Sequence, residues 1–196
     1  MTERQPDFSN KVKIIKQYDL NKFLEFTKDK EERYELINGR IYMMASPNVG
    51  HQNIAGEIYR QLSNYLKDKT CRPFIAALDV VLFEKSKEDK NKSQNVFQPD
   101  VFVVCDPEKI AEDRIYGAPD FVVEVVSLSS KIYDYFKKFE IYKKYGVKEY
   151  WIVNPITKEI FVHIEGHEEV EEYSFDDKIK VGIFDDFYID FKEIQV

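Results

Sequence analysis

Two cysteines in 196 residues, Cys71 and Cys105, are too few for a disulfide framework. Each lies in or near an apolar run, and neither has CxxC or Cys/His spacing around it. The sequence therefore indicates neither a disulfide scaffold nor a zinc site. No apolar stretch approaches the ~18 residues that would span a bilayer, and the N-terminal MTERQPDFSNK lacks the pattern of a secretory signal. The expected address is the cytoplasm, with no membrane partner. Positive charge is also scarce: 29 Lys and Arg against 36 Asp and Glu leave a net charge of −7. A field of that sign does not attract a polyanion, so any nucleic-acid contact must be a local basic patch. No internal repeat or low-complexity tract is visible.

What is present is a core. The chain is 43% hydrophobic and 15% aromatic, which argues against disorder, and its length suits one domain rather than two. That domain is expected over residues 14–196, behind a loosely held polar tail at 1–13. Asp19 is an N-cap candidate for a short helix through Leu20, Phe23, Leu24 and Phe26. Asn38-Gly39 between the apolar runs 34–37 and 40–44 is a strong hairpin signal. Ile54, Ile58, Leu62, Tyr65 and Leu66 recur at helical spacing. Residues 74–83 read as a strand followed by a charged loop at 84–95. The runs 97–105 and 120–127 read as strands covered on both faces. A helix is expected at 131–145, ended by Gly146, then a strand at 149–153, a turn at Asn154-Pro155, and a hairpin with 159–164. Residues 165–177 are acidic and turn-rich. This order is that of a mixed α/β domain.

Glu124 is the anomaly. It interrupts Phe121-Val122-Val123-Glu124-Val125-Val126, a run that otherwise suits a buried central strand. A carboxylate there carries a large desolvation cost unless paired, hydrogen-bonded or bound to a cation. Strand alternation puts Asp120, Val122, Glu124 and Val126 on one face. Asp100 opens the other run, in Pro99-Asp100-Val101-Phe102-Val103-Val104. If the two strands are neighbours, both carboxylates converge, and two acids form the oxygen-rich set that suits Mg²⁺ or Mn²⁺. The competing readings are a turn residue at Asp100 and a structural ion pair at Glu124. In the helix 131–145, Ile132, Tyr135, Phe136, Phe139 and Tyr142 form an apolar stripe, with Lys138 at its edge and Lys143 on the other flank. A lysine at such an edge can bury its stem and aim its ammonium at the sheet.

Several short motifs occur in a fixed order along the chain. They are Tyr34-Glu35-Leu36-Ile37-Asn38-Gly39, Ser46-Pro47 with His51, Pro99-Asp100-Val101, and Gly117-Ala118-Pro119-Asp120. Then come Glu124-Val125-Val126-Ser127, Asp134 with Lys138, and Tyr145-Gly146-Val147 through Tyr150-Trp151-Ile152-Val153. This ordered series, over about residues 18 to 164, resembles the Uma-type family of putative restriction endonucleases, within the PD-(D/E)XK nuclease superfamily. The resemblance implies a restriction-endonuclease-like core: a four-stranded mixed sheet flanked by helices, here with an N-terminal hairpin extension, and a divalent metal at a bend between its second and third strands. Asp100 then matches the Asp of PD and Glu124 the acid of (D/E)XK, both metal ligands, with the backbone carbonyl of Val125 completing the set. Val126 stands where the core motif has lysine, and the resemblance implies that Lys138 replaces it from the following helix. Glu35 resembles the family's N-terminal acid, whose alternative is an exposed hairpin acid paired with Arg33 or Arg40. His51 matches a family histidine at a helix start, where an imidazole could meet a phosphate or simply cap the helix.

The activity so implied is Mg²⁺- or Mn²⁺-dependent hydrolysis of DNA, with phosphate contacts from Lys131, Lys137 and Lys144. Lys138 would orient or help deprotonate water and stabilise charge on the phosphate. The alternatives are a binding module of the same fold without turnover, and a phosphodiesterase acting on RNA or another phosphorylated substrate. A homodimer is expected from the commonness of two-fold assemblies. Tyr173, Phe175, Phe184, Phe187 and Tyr188 are candidates for its interface, with core packing as their other use.

Overall fold

Asp19 is extended, and its side chain accepts a hydrogen bond from the Lys22 N–H at 3.0 Å, so helix α1 (Leu20–Thr27) starts where the N-cap was expected. The computed structural model describes residues 17–84, 89–127 and 132–194; the tail at 1–13 and Lys131 lie outside them. Strands β1 (Tyr34–Ile37) and β2 (Arg40–Met43) form the hairpin. Asn38 and Gly39 turn it with φ of 48° and 74°, the pair of positive values that a two-residue primed turn demands. Helix α2 (Val49–Tyr65) buries Ile54, Ala55, Ile58 and Leu62. Six short strands follow: β3 (Arg72–Ile75), β4 (Val80–Val81), β5 (Val96–Phe97), β6 (Val101–Val104), β7 (Ile115–Tyr116) and β8 (Phe121–Val125). Helix α3 (Ile132–Tyr145) ends at Gly146, φ 88°. The remaining strands are β9 (Glu149–Asn154), β10 (Glu159–Ile164), β11 (Glu171–Ser174), β12 (Lys178–Lys180) and β13 (Tyr188–Asp190).

The main sheet runs β11-β10-β9-β8-β6-β3. Its centre, β3-β6-β8-β9, is the mixed four-stranded core that the resemblance implied. The β8–β9 pair, joined through α3, is parallel, and the other core pairs are antiparallel. Strands β10 and β11 extend it to six. Every residue of β6 and β8 is buried because α2 and the β12–β13 hairpin cover one face while α3 covers the other. A second sheet, β2-β1-β5-β4-β7, carries the hairpin, with α1 packed through Leu20 and Phe23 on Leu36, Val81 and Val96.

Three expectations are corrected, and one open alternative is decided. Residues 74–83 are not one strand: β3 pairs with β6 in the main sheet, whereas β4 pairs with β5 and β7 in the second. The run 97–105 likewise divides into β5 and β6, with Gln98-Pro99-Asp100 passing between sheets. Cys71 and Cys105 form a disulfide, because the register that sets Arg72 against Val104 brings the two residues outside that pair together. No sequence spacing signals such a cross-strand encounter. Of the C-terminal aromatics, Phe175 and Phe187 are buried in the α2-side core and Tyr173 and Phe184 pack against it, leaving Tyr188 exposed.

Candidate active site

The register of β6 against β8 pairs Val101 with Val123, and one step further along it stands Asp100 against Glu124. Two acids 24 positions apart thus become cross-strand neighbours at the end of the ladder. Glu124 is 2% exposed and Asp100 8%. Asp100 sits just before β6, where its Oδ2 accepts the backbone N–H of Val125 at 2.8 Å, a bond that holds the carboxylate against the third strand.

Three more predicted residues meet there. Lys138 stands on the face of α3 that packs against the sheet, and its Nζ donates to Glu35 Oε1 at 2.9 Å and to Glu124 Oε1 at 3.3 Å. Glu35 comes from β1 and is 4% exposed, so it is not a surface hairpin acid. The N–H of Gln98 also donates to its Oε1, at 3.1 Å. His51 lies in the first turn of α2, where its N–H is held by the Asn48 side chain at 2.8 Å. Its Nε2 donates to Asp100 Oδ2 at 3.1 Å, so a carboxylate engages that side of the ring. Lys143, on the other flank, lies beside the Phe139 ring at 5.8 Å and Lys144 beside Tyr145 at 5.0 Å.

Two residues escaped the sequence reading as site groups. The Tyr142 hydroxyl donates to Glu124 Oε1 at 3.1 Å, and the Tyr135 hydroxyl donates to the Val125 carbonyl at 3.2 Å. Both belong to the stripe that periodicity marked as apolar. Their seven-residue spacing on a face opposite a buried acid is the signal that identifies them as hydrogen-bond donors.

Burial pushes the Glu124 carboxyl up to about 8, against the pull of Lys138 and the Tyr142 hydroxyl, and the nearby Asp100 and Glu35 carboxylates raise it further. Burial alone would lower Lys138, but Glu124 and Glu35 outweigh it and hold the ammonium above its ordinary range. Tyr142 is likewise raised, by burial first and then by Glu124. Three acids and one ammonium therefore share the site, and a divalent cation on the Asp100–Glu124 pair would offset the cost of ionising the buried Glu124. Among the described residues, no group of three His, Cys, Asp or Glu side chains is arranged to hold a metal ion. A cation on this pair would thus draw further ligands from the main chain or from water.

The mixed core, the crossover helix and the acid pair at the strand ends define the restriction-endonuclease-like class. The chain belongs to the Uma2 family, described as putative restriction endonuclease, whose model matches residues 20–190. Family and fold together support a nuclease. The chain is similar to two proteins of Synechocystis sp., uncharacterized protein slr1290 and uncharacterized protein sll1609. The first is 27% identical over 139 residues, 70% of this chain and 69% of the relative. The second is 23% identical over 135 residues, 67% and 72% of the respective chains. A crystal structure of a putative nuclease belonging to DUF820 from Anabaena variabilis shares the fold. Its TM-score is 0.73 at 20% identity, over 90% of this chain and 96% of that one. Among the described residues, no helix is long and apolar enough to cross a membrane.

Proposed function

We propose that this protein is a divalent-metal-dependent endonuclease hydrolysing DNA phosphodiesters, with Asp100 and Glu124 as metal ligands and Lys138 as the cationic group. The observation that carries the reading is the convergence of acids from two strands on an ammonium from the crossover helix, at 3.3 Å from Glu124. Mg²⁺ or Mn²⁺, held by Asp100, Glu124 and the second lone pair of the Val125 carbonyl, would supply Lewis acidity at the phosphate and a more acidic bound water.

The chain's own groups have separable tasks. Lys138, held by Glu35 and Glu124, would orient or help deprotonate water and serve the developing charge on the phosphate as an electrostatic partner. Glu35 orients that ammonium. His51 and the Val125 N–H fix the Asp100 carboxylate, and the Tyr142 hydroxyl fixes Glu124. A second reading, a binding module without turnover, is favoured by the same network seen as a self-satisfied buried ion cluster. The homodimer and the cytoplasmic address belong to the proposal as well. In a reducing compartment Cys71 and Cys105 would be held as thiols.

Purified protein with Mn²⁺ is expected to cut DNA. Asp100→Asn or Glu124→Gln should abolish cleavage with the fold retained by circular dichroism. Lys138→Ala should lose on the order of a hundredfold, as removal of a single charge-stabilising donor does, while Lys143→Ala stays near wild type. Cleavage equal in all variants would mark a contaminant. Mn²⁺ binding without cleavage would favour the binding module.

A further inference from the structure

Strand β2 is the outer strand of the second sheet, and among the described residues β1 is its only neighbour. Tyr42 and Met43 on it are 46% and 68% exposed. The Met44 N–H donates to the Arg33 carbonyl at 2.9 Å, which fixes the phase of the hairpin ladder. Hydrogen-bonded positions alternate in an antiparallel pair, so Arg40 and Tyr42 turn their backbone groups toward Ile37 and Glu35 of β1. Those of Ile41 and Met43 point away from β1, at the open edge. A row of such groups is a template for one more strand. The chain itself arrives there. A trans peptide points its N–H and its carbonyl in opposite directions. With the Arg40 N–H on β1, the Gly39 carbonyl therefore faces the outer side of β2, and there it accepts the Tyr18 N–H at 2.9 Å.

We propose that residues 11–16 of this chain add to β2 as an antiparallel edge strand, with the Tyr18–Gly39 bond as its first rung. The described chain begins at Gln17, so the segment joins that rung with no loop to close. Counting back from Tyr18 against Gly39 sets Lys16 opposite Ile41, Ile15 opposite Tyr42 and Ile14 opposite Met43. A parallel course would carry the chain past the turn and away from β2. The residues suit the place. Lys11-Val12-Lys13-Ile14-Ile15-Lys16 holds three β-branched side chains and neither glycine nor proline. Ile14 and Ile15 cover the exposed Met43 and Tyr42, while the lysines discourage any further strand from adding. The addition braces the hairpin whose β1 brings Glu35 to Lys138, and it does not depend on the nuclease reading.

The test is amide hydrogen exchange of the full chain, read by NMR. The ladder engages the N–H groups of Lys16 and Ile14 and leaves that of Lys13 pointing outward. Lys16→Pro should therefore speed exchange of the Ile41 and Met43 amides roughly tenfold or more. Lys13→Pro should leave them slow, since an outward N–H is dispensable on an edge strand. A cross-link gives a second measurement. Ile15→Cys with Tyr42→Cys occupies a pair without backbone hydrogen bonds, where side chains stand closest. Mild oxidation should join it within one chain, as read by peptide mass mapping. Ile14→Cys with Tyr42→Cys, on opposite faces, should not be joined. Ile41 and Met43 amides that exchange at the unprotected rate in wild type, or that ignore Lys16→Pro, overturn the proposal. Absence of the first cross-link overturns it too, as does its appearance only between two chains, which would give the edge to a second copy. Should Lys16→Pro unfold the protein, the cross-link decides.

Discussion

Glu124 places a carboxyl in the middle of a fully buried strand, and its environment decides its charge. Burial raises it from 4.5 to about 8, so the folded protein binds a proton there more tightly than the unfolded chain does. A raised folded value contributes stability that is complete below about 4.5 and lost as pH climbs through about 8. In EDTA, Glu124→Gln, which keeps the shape and removes the charge, should therefore melt progressively higher than wild type as the buffer goes from pH 5 to pH 9. Each kcal/mol of relief corresponds to about 2–4 °C in a domain of this size. A pH-independent difference between the two melting curves would show that Glu124 is fully compensated by Lys138. The anomaly of this residue was legible from its neighbours, because a charged side chain in an apolar run is costly wherever the run ends up. Its bond to Tyr142 was not, since the stripe of α3 was read only for its rings.

At the scale of elements, the hairpin matters because it carries Glu35 to the site. Its turn depends on Gly39, where a Cβ would stand 3.3 Å from the Tyr18 carbonyl at a φ of 74°. Gly39→Ala should cost about 1–2 kcal/mol, the usual penalty of left-handed backbone for a residue with a Cβ. In thermal melts followed by circular dichroism this is a fall of roughly 2–8 °C. An unchanged melting temperature would mean that the hairpin contributes little to the cooperative unit. Local signals foretold this turn, the Asp19 cap, α2 and the end of α3 at Gly146, because each is set by neighbours in sequence. The division of 74–83 and 97–105 was beyond such signals. An apolar run reads the same whether it stays in one sheet or leaves it halfway for another.

For the molecule as a whole, the acid cluster makes a further claim, because a bound cation would stabilise the fold that assembles it. A ligand that binds only the folded state stabilises it by about 2.7 kcal/mol at a hundred times its dissociation constant. Saturating Mn²⁺ should then raise the wild-type melting temperature by roughly 5–10 °C, and should leave that of Asp100→Asn almost unmoved. This reading needs no substrate. A wild-type protein indifferent to Mn²⁺ would count against Asp100 and Glu124 as metal ligands.

The sequence by itself determined what depends on period and punctuation: the helices and their caps, the hairpin, the two apolar runs, the acid inside one of them, and the projection that put Lys138 on the edge of its helix. Only the tertiary structure decided which of these face one another. The β6–β8 register set Asp100 beside Glu124, and the β3–β6 register joined Cys71 to Cys105. Packing of the α2 N-terminus turned His51 onto Asp100. The reason is physical. Propensity acts over a few residues, whereas register and burial are settled by contacts between segments tens of residues apart.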